Sequence, residues 1–285
     1  MKIDILGVKI DKVNLTEALV VAEKWIRNKS ACRTGKHYIV TPNLEFILAA
    51  QKDKEFRGIL NKADLAIPDS SSLGLSDWLL RKSRLERLLL WPLFFFPVKP
   101  MMQFDVVTGT DFMEALCKLS AEKGFTTGFL GGNGGVAKET AERLLRKYPN
   151  LKVSYVSSGG IIDKDGNPQE VVSSKYYVAR EKAGKDMSSR NTKYIIPPTD
   201  ILFVAFGHIK QEKWIAKNLD KIPVRVAMGV GGAFDYLSGR VRRAPKMVRK
   251  SGFEWLFRLV IQPWRIKRQL VLFKYLRLIL FYDQT

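Results

Sequence analysis

The sequence predicts an α/β fold: a Rossmann-like parallel sheet with helices on both faces, followed by a C-terminal helical appendage. Three observations carry this. Apolar runs of strand length alternate with helical patterns along most of the chain. Two of those runs pass directly into glycine-rich turns. After about Arg243 the strand pattern stops and a basic amphipathic stretch takes over.

Taken in order, the strand-like runs are Ile3 to Leu6, His37 to Thr41, Leu65 to Ile67, Thr127 to Leu130, Val153 to Val156, Ile201 to Ala205 and Val224 to Met228. Helical spacing marks Thr16 to Arg27, Leu44 to Ala50, Asp111 to Lys123, Ala137 to Tyr148 and Gln211 to Leu219. Two segments read as inserts. Residues 79–104 are rich in Leu, Phe, Trp and Arg around a proline-punctuated apolar centre. Residues 162–199 are polar and begin with the turn signal Asp163-Lys-Asp-Gly-Asn-Pro168. Phe253 to Tyr282 reads as amphipathic helix broken at Pro263. The expected organisation is a catalytic α/β domain over 1–245 and an appendage over 246–285.

An apolar fraction of 46% allows an ordinary core. The charge is less ordinary: 48 Lys and Arg against 28 Asp and Glu give +20. Such an excess calls for an anionic partner, whether nucleic acid, an anionic lipid surface or a phosphorylated substrate. Basic residues thicken after Arg240, with only Glu254 opposing them before Asp283, which marks the tail as an interaction segment. No nucleic-acid reader motif accompanies the charge, so nucleic acid is not an expected partner. Cys32 and Cys117 form no CxxC pair, and no metal-spaced cluster occurs. The opening MKIDILGVKIDKV alternates like a strand rather than reading as a signal peptide. No apolar run reaches the roughly 18 to 20 residues of a spanning helix. The expectation is a cytoplasmic protein, peripheral on the inner membrane face.

Five clusters carry chemistry. In Phe129-Leu-Gly-Gly-Asn-Gly-Gly-Val-Ala-Lys138 a strand enters a glycine loop that opens a helix, an arrangement suited to phosphate oxygens. Gly131, Gly132, Asn133 and Gly134 are its candidate nucleotide ligands. Gly132, Gly134 and Ala137 also fit a GxGxxA dinucleotide pattern. The following strand ends in Tyr155-Val-Ser-Ser-Gly159 with no carboxylate for a ribose, which disfavours NAD. The second cluster, Met228-Gly-Val-Gly-Gly-Ala-Phe-Asp235, adds Gly229, Gly231, Gly232 and Asp235 at a second strand end. Two such loops facing one crevice suit a nucleoside diphosphate. The third, Thr41-Pro-Asn43, offers a hydroxyl and an amide, with helix N-capping as the alternative for Asn43. The fourth puts Asp69 just past an apolar strand, where a partly desolvated carboxylate can act as general base or merely cap a helix. The fifth places Lys210 and Gln211 at a helix start, with His208 beside them. Asp163 and Asp165 form a DxD but sit among turn residues and are read as such.

Taken together, these motifs resemble the WecG/TagA/CpsF glycosyltransferases. The resemblance rests on Thr41-Pro-Asn43, Ala63 to Asp69, Thr108-Gly-Thr-Asp111, Leu130 to Val136, Lys210 to Ile215, Gly229 to Asp235, Gly239 to Pro245, Glu254 to Leu259 and Gln262 to Ile266, which occur in family order. It implies inverting transfer, without metal or other cofactor, from a UDP-sugar to an undecaprenyl-diphosphate-linked sugar. The donor implied is UDP-N-acetylmannosamine or its uronate, with UDP-glucose or its uronate the alternative. It further implies Asp69 as catalytic base, and Thr41, Asn43 and Gln211 lining the sugar and acceptor pocket. Arg258, Arg265 and Arg268 would lie on an appendage that closes over the diphosphate at an anionic membrane surface. Self-association into a homo-oligomer is left open. The sequence departs from the family at Val106, where an Arg is usual, at Ile209, where Pro is common, and in the longer insert after Leu79. The chemistry is consistent, since departing UDP develops negative charge that arginine forks can offset. A nucleic-acid-binding protein, a nicotinamide oxidoreductase and a non-catalytic basic membrane scaffold are the rival readings.

Overall fold

The computed structural model describes residues 1–28, 35–95, 106–170, 195–245, 247–248, 254–261 and 266–282. Its first half runs β1 (Lys2–Ile5), β2 (Val8–Asp11), α1 (Leu15–Arg27), β3 (His37–Val40), α2 (Leu44–Lys52), α3 (Lys54–Asn61), β4 (Leu65–Ala66), α4 (Ser71–Leu80), α5 (Arg84–Leu90) and a 3-10 turn (Trp91–Phe95). Then come α6 (Gly109–Lys123), β5 (Thr126–Gly131), α7 (Val136–Lys147), β6 (Lys152–Ser157), β7 (Ile161–Ile162), β8 (Pro168–Glu170), β9 (Thr199–Ala205), α8 (Lys210–Asn218), β10 (Val224–Gly229), α9 (Ala233–Ser238), α10 (Glu254–Ile261) and α11 (Ile266–Leu280).

Six strands form the main sheet in the order β4-β3-β10-β9-β5-β6, and every pairing is parallel. Side chains alternate between its two faces. On one face Tyr38, Val40, Leu130, Leu202, Val204 and Ala227 pack with α2, α3, α4, α8 and α11. On the other, Ile39, Phe129, Ile201, Phe203, Val226 and Met228 pack with α1, α6, α7 and α9. Burial of both faces explains why these strands read as near-continuous apolar runs.

The first expected strand does not join that sheet. β1 pairs antiparallel with β2, Ile3 opposite Ile10, in a separate two-stranded sheet. The turn is Leu6-Gly7, with φ of 54° and 83°, the paired positive dihedrals that a two-residue hairpin requires. Asp4 Oδ1 secures it by accepting the Gly7 N–H at 2.7 Å. Alternation shows that a strand has one buried side but not which strand it will pair with. The polar insert likewise begins with a short hairpin, β7 with β8. There Asp163 Oδ1 accepts the N–H groups of Asp165 and Asn167 at 2.9 and 2.8 Å, so this DxD builds the turn.

The final helix is part of the body. Tyr275 and Ile279 are fully buried within the α2–α4 core, and the Tyr275 hydroxyl shares a 2.7 Å hydrogen bond with buried Ser76. Arg87 Nη1 donates to the carbonyls of Ile279 and Tyr282 at 2.7 and 2.8 Å, satisfying the helix terminus. Among the described residues no helix is long and apolar enough to cross a membrane.

Candidate active site

All the loops singled out by sequence open from the carboxyl ends of five neighbouring strands, β4, β3, β10, β9 and β5, where open α/β sheets bind ligands. At the β4 end, Asp69 N donates to Pro42 O at 3.1 Å, drawing the two loops together. Asp69 Oδ1 accepts the N–H of Gly109, the first residue of α6, at 2.6 Å. A Cβ on Gly109 would stand 3.1 Å from Thr41 Oγ1, so the Thr41 hydroxyl sits against the same backbone. Asp69, Thr41 and Gly109 thus form one cluster, in which Asp69 and Thr41 are half-buried and Gly109 is buried. Asn43 Oδ1 caps α2, accepting from Glu45 N and Phe46 N at 2.9 and 3.2 Å.

The N-terminus of α6 is fixed from its other side. Arg243 binds the Asp111 carboxylate through both Nη atoms at 2.6 and 2.7 Å and reaches Thr108 Oγ1 at 2.9 Å. Thr108 caps the helix. Val106, at the place of the expected Arg, leads into this loop, and Val107 N donates to Pro68 O at 3.2 Å.

The β10 loop is built around Gln211. Its Oε1 accepts the Gly231 N–H at 3.0 Å, and its Nε2 donates to Glu212 Oε1 at 2.7 Å. Both side chains are buried. The backbone of Gly229 passes close to this pair: a Cβ there would lie 2.5 Å from Glu212 Oε1 and 2.8 Å from Gln211 Nε2, and both side chains would have to shift. Desolvation pushes the Glu212 carboxyl up to about 7. Ile209, which precedes α8, has φ of +70°, a rare conformation for a β-branched residue and one a proline ring cannot adopt. His208 Nε2 lies 3.6 Å from Glu45 Oε2, joining this loop to α2.

The β5 loop carries positive φ at Gly131, Gly132, Gly134 and Gly135. Gly131 passes so close to β9 that a Cβ would meet the Ala205 carbonyl at 2.8 Å. The Gly132 N–H is taken by Ala205 O at 2.9 Å. Arg240 binds Glu139 and the carbonyls of Asn133 and Gly134. Asn133 and Gly134 are exposed. Asp235 lies beside Gly232 at the start of α9, with Oδ2 3.7 Å from where a Gly232 Cβ would be. β6 ends at Ser157, without the acid a dinucleotide ribose needs.

The comparison with protein families decides the identity. The family described as glycosyl transferase WecG/TagA/CpsF matches residues 3–95 and 96–284. The chain belongs to this family. It is therefore a glycosyltransferase. It is 27% identical over 248 residues to the N-acetylglucosaminyldiphosphoundecaprenol N-acetyl-beta-D-mannosaminyltransferase of Bacillus subtilis (strain 168), covering 84% of this chain and 80% of that one. The same-named proteins of Bacillus spizizenii and Staphylococcus aureus (strain NCTC 8325 / PS 47) are 28% and 26% identical over 248 and 267 residues. These cover 87% and 94% of this chain, and 80% and 87% of theirs.

Within this WecG/TagA/CpsF member, Arg265 lies outside the described residues, as do the side chains of Arg258 and Arg268. α11, which carries Arg268, packs on α2 and α4, the helices that start beside Asn43 and Asp69. Sequence reasoning gave no role to Glu212, Gly109, Asp111 or Arg243. The first is an ordinary first-turn acid by pattern, and the Arg243–Asp111 pair spans 132 positions.

Proposed function

We propose that this glycosyltransferase moves N-acetylmannosamine, or its uronate, from UDP to a sugar carried on undecaprenyl diphosphate. Asp69 takes the proton from the acceptor hydroxyl as its oxygen bonds to the anomeric carbon. The bond from that carbon to the UDP oxygen breaks on the opposite face, so configuration inverts. Thr41, Asn43 and Gln211 line the sugar and acceptor pocket, and the loops at 131–134 and 229–235 face the nucleotide. Arg258, Arg265 and Arg268 offset the charge of the departing diphosphate, in place of a metal. The work is done at the anionic inner face of the membrane.

The observation that carries this reading is Asp69 held beside Thr41 at the carboxyl end of a parallel sheet, with two glycine-rich loops opening on the same edge. The relatives are named as N-acetylmannosaminyl transferases acting on a diphosphoundecaprenol-linked sugar, which supports the choice of sugar and lipid carrier. The test is turnover of the purified protein with a panel of UDP-sugars and a short polyprenyl-diphosphate-linked N-acetylglucosamine, in the presence of EDTA. Transfer from UDP-N-acetylmannosamine or its uronate is expected. Preference for UDP-glucose, or dependence on added divalent metal, would overturn the corresponding part.

A further inference from the structure

We propose that Glu212 is a positioning residue for transfer, holding the Gln211 amide so that it fixes the Gly231 backbone N–H in the crevice. The inference rests on the reading of this crevice as the transfer site. Its geometry is a short chain: Glu212 Oε1 accepts from Gln211 Nε2 at 2.7 Å, and Gln211 Oε1 accepts from Gly231 N at 3.0 Å. An amide has one accepting and one donating end, so the acid dictates which end meets the loop. The backbone of Gly229 closes over the pair with no room for a Cβ.

Glu212 is only 1% exposed, yet no lysine or arginine pairs with it among the described residues, and its Oε2 has no hydrogen-bond partner there. The α8 lysines are directed elsewhere. Lys213 meets Asp53, Glu55 and Asp165, Lys217 meets the Asp165 carbonyl, and Lys210 meets the Ile162 carbonyl. From β3 the titratable neighbour is Tyr38, whose buried hydroxyl also lacks a hydrogen-bond partner among the described residues. Burial raises the Tyr38 pKa, and the charge of Glu212 adds to the effect. A buried carboxylate with no cation beside it costs folding energy that the Gln211 amide and nearby backbone N–H groups offset only in part, and strain of the kind found at Ile209 is concentrated at working sites. Once protonated, the acid can donate to Gln211 Oε1. That turns Nε2 toward the Gly231 N–H, donor against donor, and the loop is released.

The test compares wild type, Glu212→Gln and Glu212→Ala by kcat and KM across pH, with the unfolding midpoint recorded for each. Glu212→Gln keeps the shape and an accepting oxygen but cannot titrate. It should retain most of kcat at pH 8, while the acid limb of its kcat/KM profile moves to lower pH than the wild-type limb near 7. Glu212→Ala, if folded, should lower kcat on the order of a hundredfold with little change in donor KM. An unchanged acid limb in Glu212→Gln would overturn the proposal, whether or not the alanine variant folds. Wild-type protein with no transferase activity would instead sink the underlying reading.

Discussion

Asp69 Oδ1 accepts the Gly109 N–H at 2.6 Å, so the carboxylate assigned to proton removal is anchored to the first backbone donor of α6. One oxygen is committed to the scaffold, which holds the carboxylate at the same Gly109 backbone that the Thr41 hydroxyl approaches. Asp69→Asn preserves shape and removes the basicity. Transfer should fall by about two to four orders of magnitude, while UDP affinity measured by calorimetry stays at the wild-type level. Equal rates for the two proteins would take Asp69 out of the base role.

The Arg243–Asp111 clamp predicts a second effect on the same carboxylate. Arg243→Ala leaves the Asp111 carboxylate without its bidentate partner and loosens the cap on α6. Removing one partner of such a half-buried pair should cost about 1–3 kcal/mol of stability, read as a lowered denaturant midpoint. kcat should drop in parallel, and Arg243→Lys should restore part of each. A variant with wild-type stability and kcat would show that Gly109 holds Asp69 without help.

Glu212 also makes stability depend on pH. Its folded pKa, about 7, lies above the ordinary carboxyl value of 4.5, so the folded state binds the proton more tightly than the unfolded state does. The associated stability is present below pH 4.5 and is lost as pH rises through 7. Glu212→Gln carries no such penalty. It should unfold later than wild type at pH 8, by up to roughly 3 kcal/mol, with the gap closing as pH falls toward 4.5. A gap that widens on acidification would contradict the assignment.

Membrane attachment can be tested on α5. Leu85 and Leu89 are about 70% exposed there, beside exposed Arg81 and Arg84, and the Arg84 guanidinium stacks over Phe281 at the end of α11. Exposed apolar side chains with arginines nearby suit the interface of an anionic bilayer, although Glu86 lies beside Leu85 on the same helix. Leu85→Glu with Leu89→Glu should weaken sedimentation with phosphatidylglycerol vesicles and leave turnover of a short, water-soluble acceptor intact. Undiminished vesicle binding, or none by the wild type, would take α5 out of this role.

Much of the fold was legible because parallel strands buried on both faces leave short apolar runs bounded by turn residues. β3, β5, β9 and β10 fall within two residues of the runs that predict them. α4 was not legible. It buries Leu73, Leu75, Leu79 and Leu80 together with Gly74, Ser76 and Asp77, so its surroundings leave no amphipathic period to read. β2 was read with β1 as one alternating stretch rather than as the second strand of a hairpin. In the candidate site, Asp69, Thr41 and Gln211 stood out by their place at strand ends and helix starts. Arg243 and Glu212 did not, since their roles come from contacts that only the folded chain creates.

Ile3 and Ile279 belong to one continuous core, and this sets an order of events during synthesis. The N-terminal hairpin and α2 to α4 emerge early, and part of the apolar face they share is covered by Tyr275 and Ile279 of α11. That face stays open until residues 275–279 have been made. Until then the nascent chain exposes apolar surface prone to aggregation, and a protein shortened before α11 would leave the places of Tyr275 and Ile279 in that core empty.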